Sequence, residues 1–182
     1  MSFKNQVAIV TGGTRGIGKG ITEAFLNAGA KVIATYASNE AKANEFYESL
    51  GELRKNLTLK RFDVSSSKEC HDFFESISKD FEQIHILVNN SGVRQDNILA
   101  SMSEEQWDTV LDINLKGTFN MSKLAVLHMM GHRYGRIVNI SSVGGKLGLS
   151  GQANYAASKA GQIALSKSLS KEVAKRKITI NN

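Results

Sequence analysis

Apolar residues fall along the chain in short runs separated by longer segments of mixed polarity. Five runs have the length and β-branched content of strands buried on both faces: residues 7–10, 31–35, 57–59, 84–88 and 136–140. A sixth run, 178–180, begins just before residue 182. Between the runs lie segments with helical periodicity, at 17–27, 40–50, 68–81, 104–130 and 154–175. The fourth opens on Ser103 and Gln106, the spacing of a capping box. Strand alternating with helix predicts an α/β fold, a doubly wound parallel sheet with helices on both faces, as a single domain over 1–182. In such sheets ligands sit beyond the carboxyl ends of the strands. The chemistry is therefore sought just after each apolar run.

Composition narrows the picture. Of 182 residues, 41% are hydrophobic and 22% charged, enough apolar mass for a core and too much for a disordered chain. No apolar run approaches the ~20 residues of a membrane span, and Met1-Ser2-Phe3-Lys4-Asn5 goes straight into a strand pattern, so a cytoplasmic protein with no signal peptide and no membrane partner is expected. The single cysteine, Cys70, excludes an internal disulfide or a thiolate metal cluster, and Glu69 and Asp72 beside it disfavour a thiolate. The net charge of +6 favours anionic partners. No aromatic or arginine cluster of a nucleic-acid module accompanies it, so no nucleic acid is expected. His128 and His132 share a helix face without the glutamate of a zinc protease; they read as surface residues, with no metal.

The first strand runs into Thr11-Gly12-Gly13-Thr14-Arg15-Gly16-Ile17-Gly18. Glycines there allow a tight turn and close approach of backbone to a phosphate, and the helix that follows offers free N–H groups. After the second strand, Tyr36-Ala37-Ser38-Asn39 carries none of the acid that a site for unphosphorylated ribose would use. With Arg15 in the glycine loop, this points to NADP(H). After the third strand, Asp63 and Val64 could meet an adenine edge, or Asp63 could cap the next helix. After the fourth comes Asn89-Asn90-Ser91-Gly92, two amides and a glycine that suit close packing on a cofactor and equally suit a plain turn.

The fifth strand is followed by Ser141 and Ser142, and then by Tyr155 and Lys159, one helical turn apart. A phenol is too weak an acid to give up its proton readily at neutral pH, and a neighbouring ammonium favours the phenolate. A serine hydroxyl could hold a carbonyl oxygen beside the phenol. Asn114, a poor helix former inside an apolar helix, invites a reason of its own.

Taken together, the segments 11–18 and 89–92, Asn114, Ser142 and Tyr155-Ala156-Ala157-Ser158-Lys159 resemble the short-chain dehydrogenase/reductase family, in family order along the chain. The stretches 135–142 and 151–161 resemble most the bacterial reductases of 3-oxoacyl thioesters. Acetoacetyl-CoA reductases share much of this pattern. The resemblance implies a Rossmann-type fold and NADPH-dependent reduction of a 3-oxoacyl group on acyl carrier protein in fatty-acid synthesis. It makes Tyr155 the general acid and Ser142 the holder of the substrate carbonyl. Lys159 becomes the partner of both phenol and ribose, and Asn114 the holder of a water leading from Lys159 to solvent. Gly12, Thr14, Arg15, Gly16, Ile17, Gly18, Asp63, Val64, Asn90 and Gly92 become cofactor contacts, with Tyr155 and Lys159. Arg133 and Arg176 match docking positions for the acidic carrier protein, and a homotetramer is implied. The family continues beyond what corresponds to residue 182 with further strands, a lid and most of its prolines; this chain has none of the about 5% proline of average proteins. The sequence is therefore expected to lack the C-terminal strands and lid. A nucleotide-binding module without turnover is the alternative.

Overall fold

The computed structural model describes residues 2–182. The first strand, β1 (Val7–Val10), shows why the apolar runs are unbroken. Val7 and Ile9 enter one core cluster and Ala8 and Val10 the other, so both faces of the strand are covered. It is joined by β2 (Lys31–Tyr36), β3 (Leu57–Arg61), β4 (Ile86–Asn89), β5 (Gly135–Asn139) and β6 (Ile178–Asn181). All pair in parallel, in the order β3-β2-β1-β4-β5-β6. This is the expected doubly wound sheet. The order reverses between β1 and β4, which opens a crevice at their carboxyl ends.

Helices α1 (Gly16–Asn27) and α2 (Glu40–Ser49) cover one face through Leu26 and Phe46. On the other face α3 (Ser67–Ser78) packs through Phe73, Phe74 and Ile77. There Phe73 stacks on Phe62 at 4.4 Å between ring centres. The same face receives α5 (Gly117–His132) through Met121, Ala125 and Met129, and α7 (Ala153–Val173) through Val173. Among the described residues no helix is long and apolar enough to cross a membrane.

The sequence expectations and the structure differ in instructive places. The fourth strand starts at Ile86 rather than 84, because the His85 ring nitrogen Nδ1 accepts the Val7 N–H at 3.1 Å, where a ladder carbonyl would otherwise act. The helix expected over 104–130 has its capping box, with both halves formed at Ser103 and Gln106. It is not continuous: α4 (Glu104–Leu111) passes through a π-type turn, Asp112–Lys116, into α5. There the Gly117 N–H reaches back five residues to the Asp112 carbonyl. A short helix, α6 (Gly144–Leu147), lies in the segment after β5, where none was expected. His128 corrects the surface reading: it is half-buried between α3 and α5, and its Nε2 lies 2.9 Å from Ser78 Oγ. Cys70 is fully buried, and desolvation, with Asp63 and Glu69 nearby, pushes its thiol up to about 12.

Candidate active site

A cleft of about 620 Å3 lies at the carboxyl ends of β1, β2, β4 and β5. Its floor on the β1 side is the glycine loop. Gly12 has φ +60°, a backbone state that L side chains rarely adopt. A Cβ on Gly18 would collide with the Gly12 carbonyl oxygen and come 2.5 Å from Asn90 Nδ2, so only glycine lets α1 start this close beneath the loop. The α1 N-terminus has no side-chain cap and no acid in its first turn. Its N–H groups and dipole therefore face the cleft ready for an anion. The β4 end fixes the loop from the other side. Asn90 Nδ2 donates to the Thr11 carbonyl at 2.9 Å and the Gly12 carbonyl at 3.1 Å. Thr11 Oγ1 accepts from the N–H groups of Asn90 and Ser91 at 2.9 and 3.0 Å.

Thr14, Arg15, Gly16 and Ile17 line the cleft, and so do Tyr36, Ser38 and Lys42 at the end of β2. Arg15 and Lys42 bring two cations to this side of the cleft, which fits an extra phosphate, while Asp63 lines the cleft at the end of β3. Lys42 carries no motif; only its place one turn into α2, after Asn39 caps that helix by accepting the Lys42 N–H at 3.0 Å, brings it here. At the β3 end, Asp63 Oδ1 accepts the Ser65 N–H at 2.8 Å, while Ser66 caps α3. Asp63 thus closes a turn rather than capping the helix, and it lines the cleft with Val64. Val64 is buried and packs against the start of α5 at Gly117.

On the β4–β5 side the site is built from α7. Asn154 Nδ2 donates to the carbonyls of Gln95 and Gln106, and its Oδ1 accepts the Tyr155 N–H at 2.7 Å, which pins the first turn of the helix. Tyr155 is half-buried and lines the cleft. Lys159 is 4% exposed, with Nζ 5.7 Å from the Tyr155 ring centre. That ammonium donates to the Ile140 carbonyl at 2.7 Å and to Gln162 Oε1 at 3.2 Å, and no carboxylate pairs with it among the described residues. Burial pushes its pKa from the ordinary 10.5 down to about 8. Gly92 lies beside it; a Cβ there would be 3.7 Å from Nζ.

Ser141 lines the cleft itself, whereas Ser142 stands one residue further on, its Oγ accepting the Gly144 N–H at 3.1 Å. Asn114 is fully buried in the π-type turn. Its side chain accepts the Val93 N–H at 2.8 Å and donates to the Val93 carbonyl and to Ser158 Oγ. Its backbone carbonyl accepts from Thr118 Oγ1 at 2.7 Å and Gln162 Nε2 at 2.8 Å. Gln162, which no motif marked, thus lies between Asn114 and Lys159, where the resemblance put a water. Arg133 and Arg176 are not brought to the cleft. They precede β5 and β6, at the amino ends of the strands, where Arg133 bonds the Lys175 carbonyl at 3.1 Å.

The family model for short chain dehydrogenases matches residues 6–182, and the chain belongs to that family of oxidoreductases. Among curated relatives, the 3-oxoacyl-(acyl-carrier-protein) reductases FabG of Salmonella typhimurium and Escherichia coli are each 45% identical over 181 residues. Those matches cover 100% of this chain and 72% of each relative. An acetoacetyl-CoA reductase of Rhizobium meliloti is 42% identical over 177 residues, 97% of this chain and 71% of that protein.

Proposed function

We propose that the protein reduces a 3-oxoacyl thioester, carried on acyl carrier protein, to the 3-hydroxyacyl thioester with NADPH, a step of fatty-acid synthesis. One observation carries the reading: an ammonium buried without a counter-charge, one turn from a half-buried phenol, at the strand ends beside an anion-ready glycine loop. The 45% identity to FabG reductases supports the substrate class. NADP(H) fits the residues present. Its phosphates would meet Gly12, Thr14, Gly16, Ile17, Gly18 and the α1 N-terminus, and its 2′-phosphate would meet Arg15 and Lys42. Asp63 and Val64 would lie by the adenine, and Asn90, Gly92, Tyr155 and Lys159 by the nicotinamide half.

When bound, NADPH supplies the hydride that the carbonyl carbon takes up. Ser142 donates a hydrogen bond to the substrate carbonyl oxygen. Tyr155 gives that oxygen its phenolic proton, so C=O becomes CH–OH and a phenolate remains. The Lys159 ammonium stabilises the phenolate until a proton from solvent restores it.

The test is NADPH consumption with an acetoacetyl thioester. Wild type turns over, and Tyr155→Phe loses roughly 10²–10⁴-fold in kcat while binding NADPH as wild type does. Substantial activity in the phenylalanine variant sinks the assignment. NADPH binding without wild-type turnover would leave the nucleotide-binding module. The Rhizobium relative favours a second reading, a coenzyme A thioester as substrate. Comparing kcat/KM for the two carriers decides between them.

Arg133 and Arg176 are the proposed docking cations for the acidic carrier protein. On one chain they lie at the amino ends of the strands and Tyr155 at the carboxyl ends, so a carrier held there would serve the cleft of another copy. That suits a homotetramer acting in the cytoplasm, and Phe119 and Leu127 on α5 offer exposed apolar surface for assembly.

A further inference from the structure

We infer that Gln162 is a positioning residue of this site: its side-chain amide joins the Asn114 carbonyl to the Lys159 ammonium and fixes that ammonium one turn from Tyr155. The inference rests on the proposed reductase reading and adds a residue to it. Gln162 is fully buried on α7, three residues after Lys159. Its Nε2 donates to the Asn114 carbonyl at 2.8 Å and to Thr118 Oγ1 at 2.6 Å, and its Oε1 accepts from Lys159 Nζ at 3.2 Å. The amide has one orientation. A carbonyl only accepts and an ammonium only donates, so turning the amide over would set two acceptors together and two donors together.

A buried glutamine can simply be a satisfied core residue. Two facts go beyond that. Thr118 Oγ1 already donates to the Asn114 carbonyl at 2.7 Å, so that carbonyl does not need Gln162. Among the described residues the ammonium has two acceptors, Ile140 O and Gln162 Oε1, so it does need the amide. An amide passes no proton at neutral pH, so the link sets position and charge rather than carrying protons. The surroundings hold little else that could do so. The Tyr155 phenol lies on the same helix, and the segment after β4 brings Arg94, 6.0 Å from the Tyr155 ring and paired with Asp96 at 3.1 Å. Asn114, Ile140, Ser141 and Gly145, from the other elements packed here, are uncharged.

The test uses the whole chain as wild type, Gln162→Met and Gln162→Glu. Methionine keeps the length and removes the acceptor; glutamate puts a charge in its place and sets its second oxygen toward the Asn114 carbonyl, which keeps its bond from Thr118 Oγ1. Lysine 15N NMR of the apoprotein follows the titration of Lys159 Nζ without reference to turnover. The midpoint should fall by about one pH unit in the methionine variant and rise by at least as much in the glutamate variant, about tenfold each way in proton affinity. In the reductase assay, kcat on the alkaline side should fall about tenfold with methionine and return with glutamate, as expected for loss and recovery of one charge-assisted hydrogen bond. Should the methionine variant fail to fold, the glutamate variant decides alone, since general loosening of the core would not raise the midpoint. Midpoints unmoved in a folded variant, or kcat lowered evenly across pH, overturn the inference. Midpoints that shift as stated in a wild type without turnover overturn the reductase reading instead.

Discussion

Replacing Lys159 by methionine should make the protein's stability respond differently to pH while abolishing turnover. Lys159 is the one charged side chain buried among the described residues. Burial lowers its pKa from 10.5 to about 8. At about 1.4 kcal/mol per tenfold change in proton affinity, holding it protonated in the folded state costs roughly 3 kcal/mol. Methionine removes that cost but leaves the Ile140 carbonyl and Gln162 Oε1 without a donor, a loss of about 1–3 kcal/mol for each group. Near neutral pH the two effects roughly offset, and the variant should be about as stable as wild type. The pH dependence separates them. The folded-state pKa is the lower one, so between about 8 and 10.5 the unfolded chain holds more protons at this site and wild-type stability rises with pH. Below about 8 the full cost is present; above 10.5 it is gone. Urea unfolding from about pH 7 to about pH 9.5 should therefore show wild type gaining roughly 2 kcal/mol over Lys159→Met. Taking the difference cancels the other titrating groups. Parallel curves for the two proteins would refute a buried, protonated lysine.

Three further outcomes test the rest of the site. Gly18→Ala should weaken NADPH binding at least about tenfold by calorimetry, because the new methyl meets the Gly12 carbonyl and Asn90; unchanged affinity would remove the loop from the cofactor seat. Arg15→Ala combined with Lys42→Ala should cut the preference for NADPH over NADH about 10–100-fold in kcat/KM, and an unchanged ratio would place the 2′-phosphate elsewhere. Arg133→Glu should raise KM for a carrier-bound substrate about tenfold and spare a coenzyme A one; equal losses on both would end the docking assignment.

Where sequence reading succeeded, a local pattern had a local cause. The period of apolar residues located six strands because both sheet faces are covered, and the Ser103–Gln106 box marked a helix start because a cap involves only four neighbouring residues. The glycine loop and the pair at 155 and 159 could be found because loop and helix carry their own spacing. What sequence could not show depends on chain segments meeting. Arg15, in the glycine loop, and Lys42, on α2, reach one cleft only through the parallel pairing of β1 and β2. Gln162 reads as a polar helix position, and its burial follows from α7 lying against the π-type turn, contacts 44 and 48 residues apart in sequence. The turn itself has no spacing signal; the Gly117 bond to Asp112 shows only in three dimensions.

That turn explains why the interior here is polar. Asn114, Thr118, Asn154, Ser158 and Gln162 are all buried along the contact between α7 and the α4–α5 segment. Packing of this kind forgoes the stabilisation that buried Leu or Val would contribute. Apolar contact, however, tolerates small slides of one helix along another, whereas hydrogen bonds lose strength steeply once their geometry is off. Of the buried side-chain polar atoms among the described residues, only Gln6 Oε1 and His128 Nδ1 lack a partner, and neither lies in this seam. A fully matched seam admits one register of α7, and Tyr155 and Lys159 are carried by that helix. An ammonium kept protonated in a neutral cage needs such fixing: a slide that took Lys159 Nζ away from Ile140 or Gln162 would leave a buried charge short of acceptors. The same hydrogen bonds that hold the helix thus hold the charge beside the phenol, so the stability forgone in the seam and the placement of the reacting group have one structural cause.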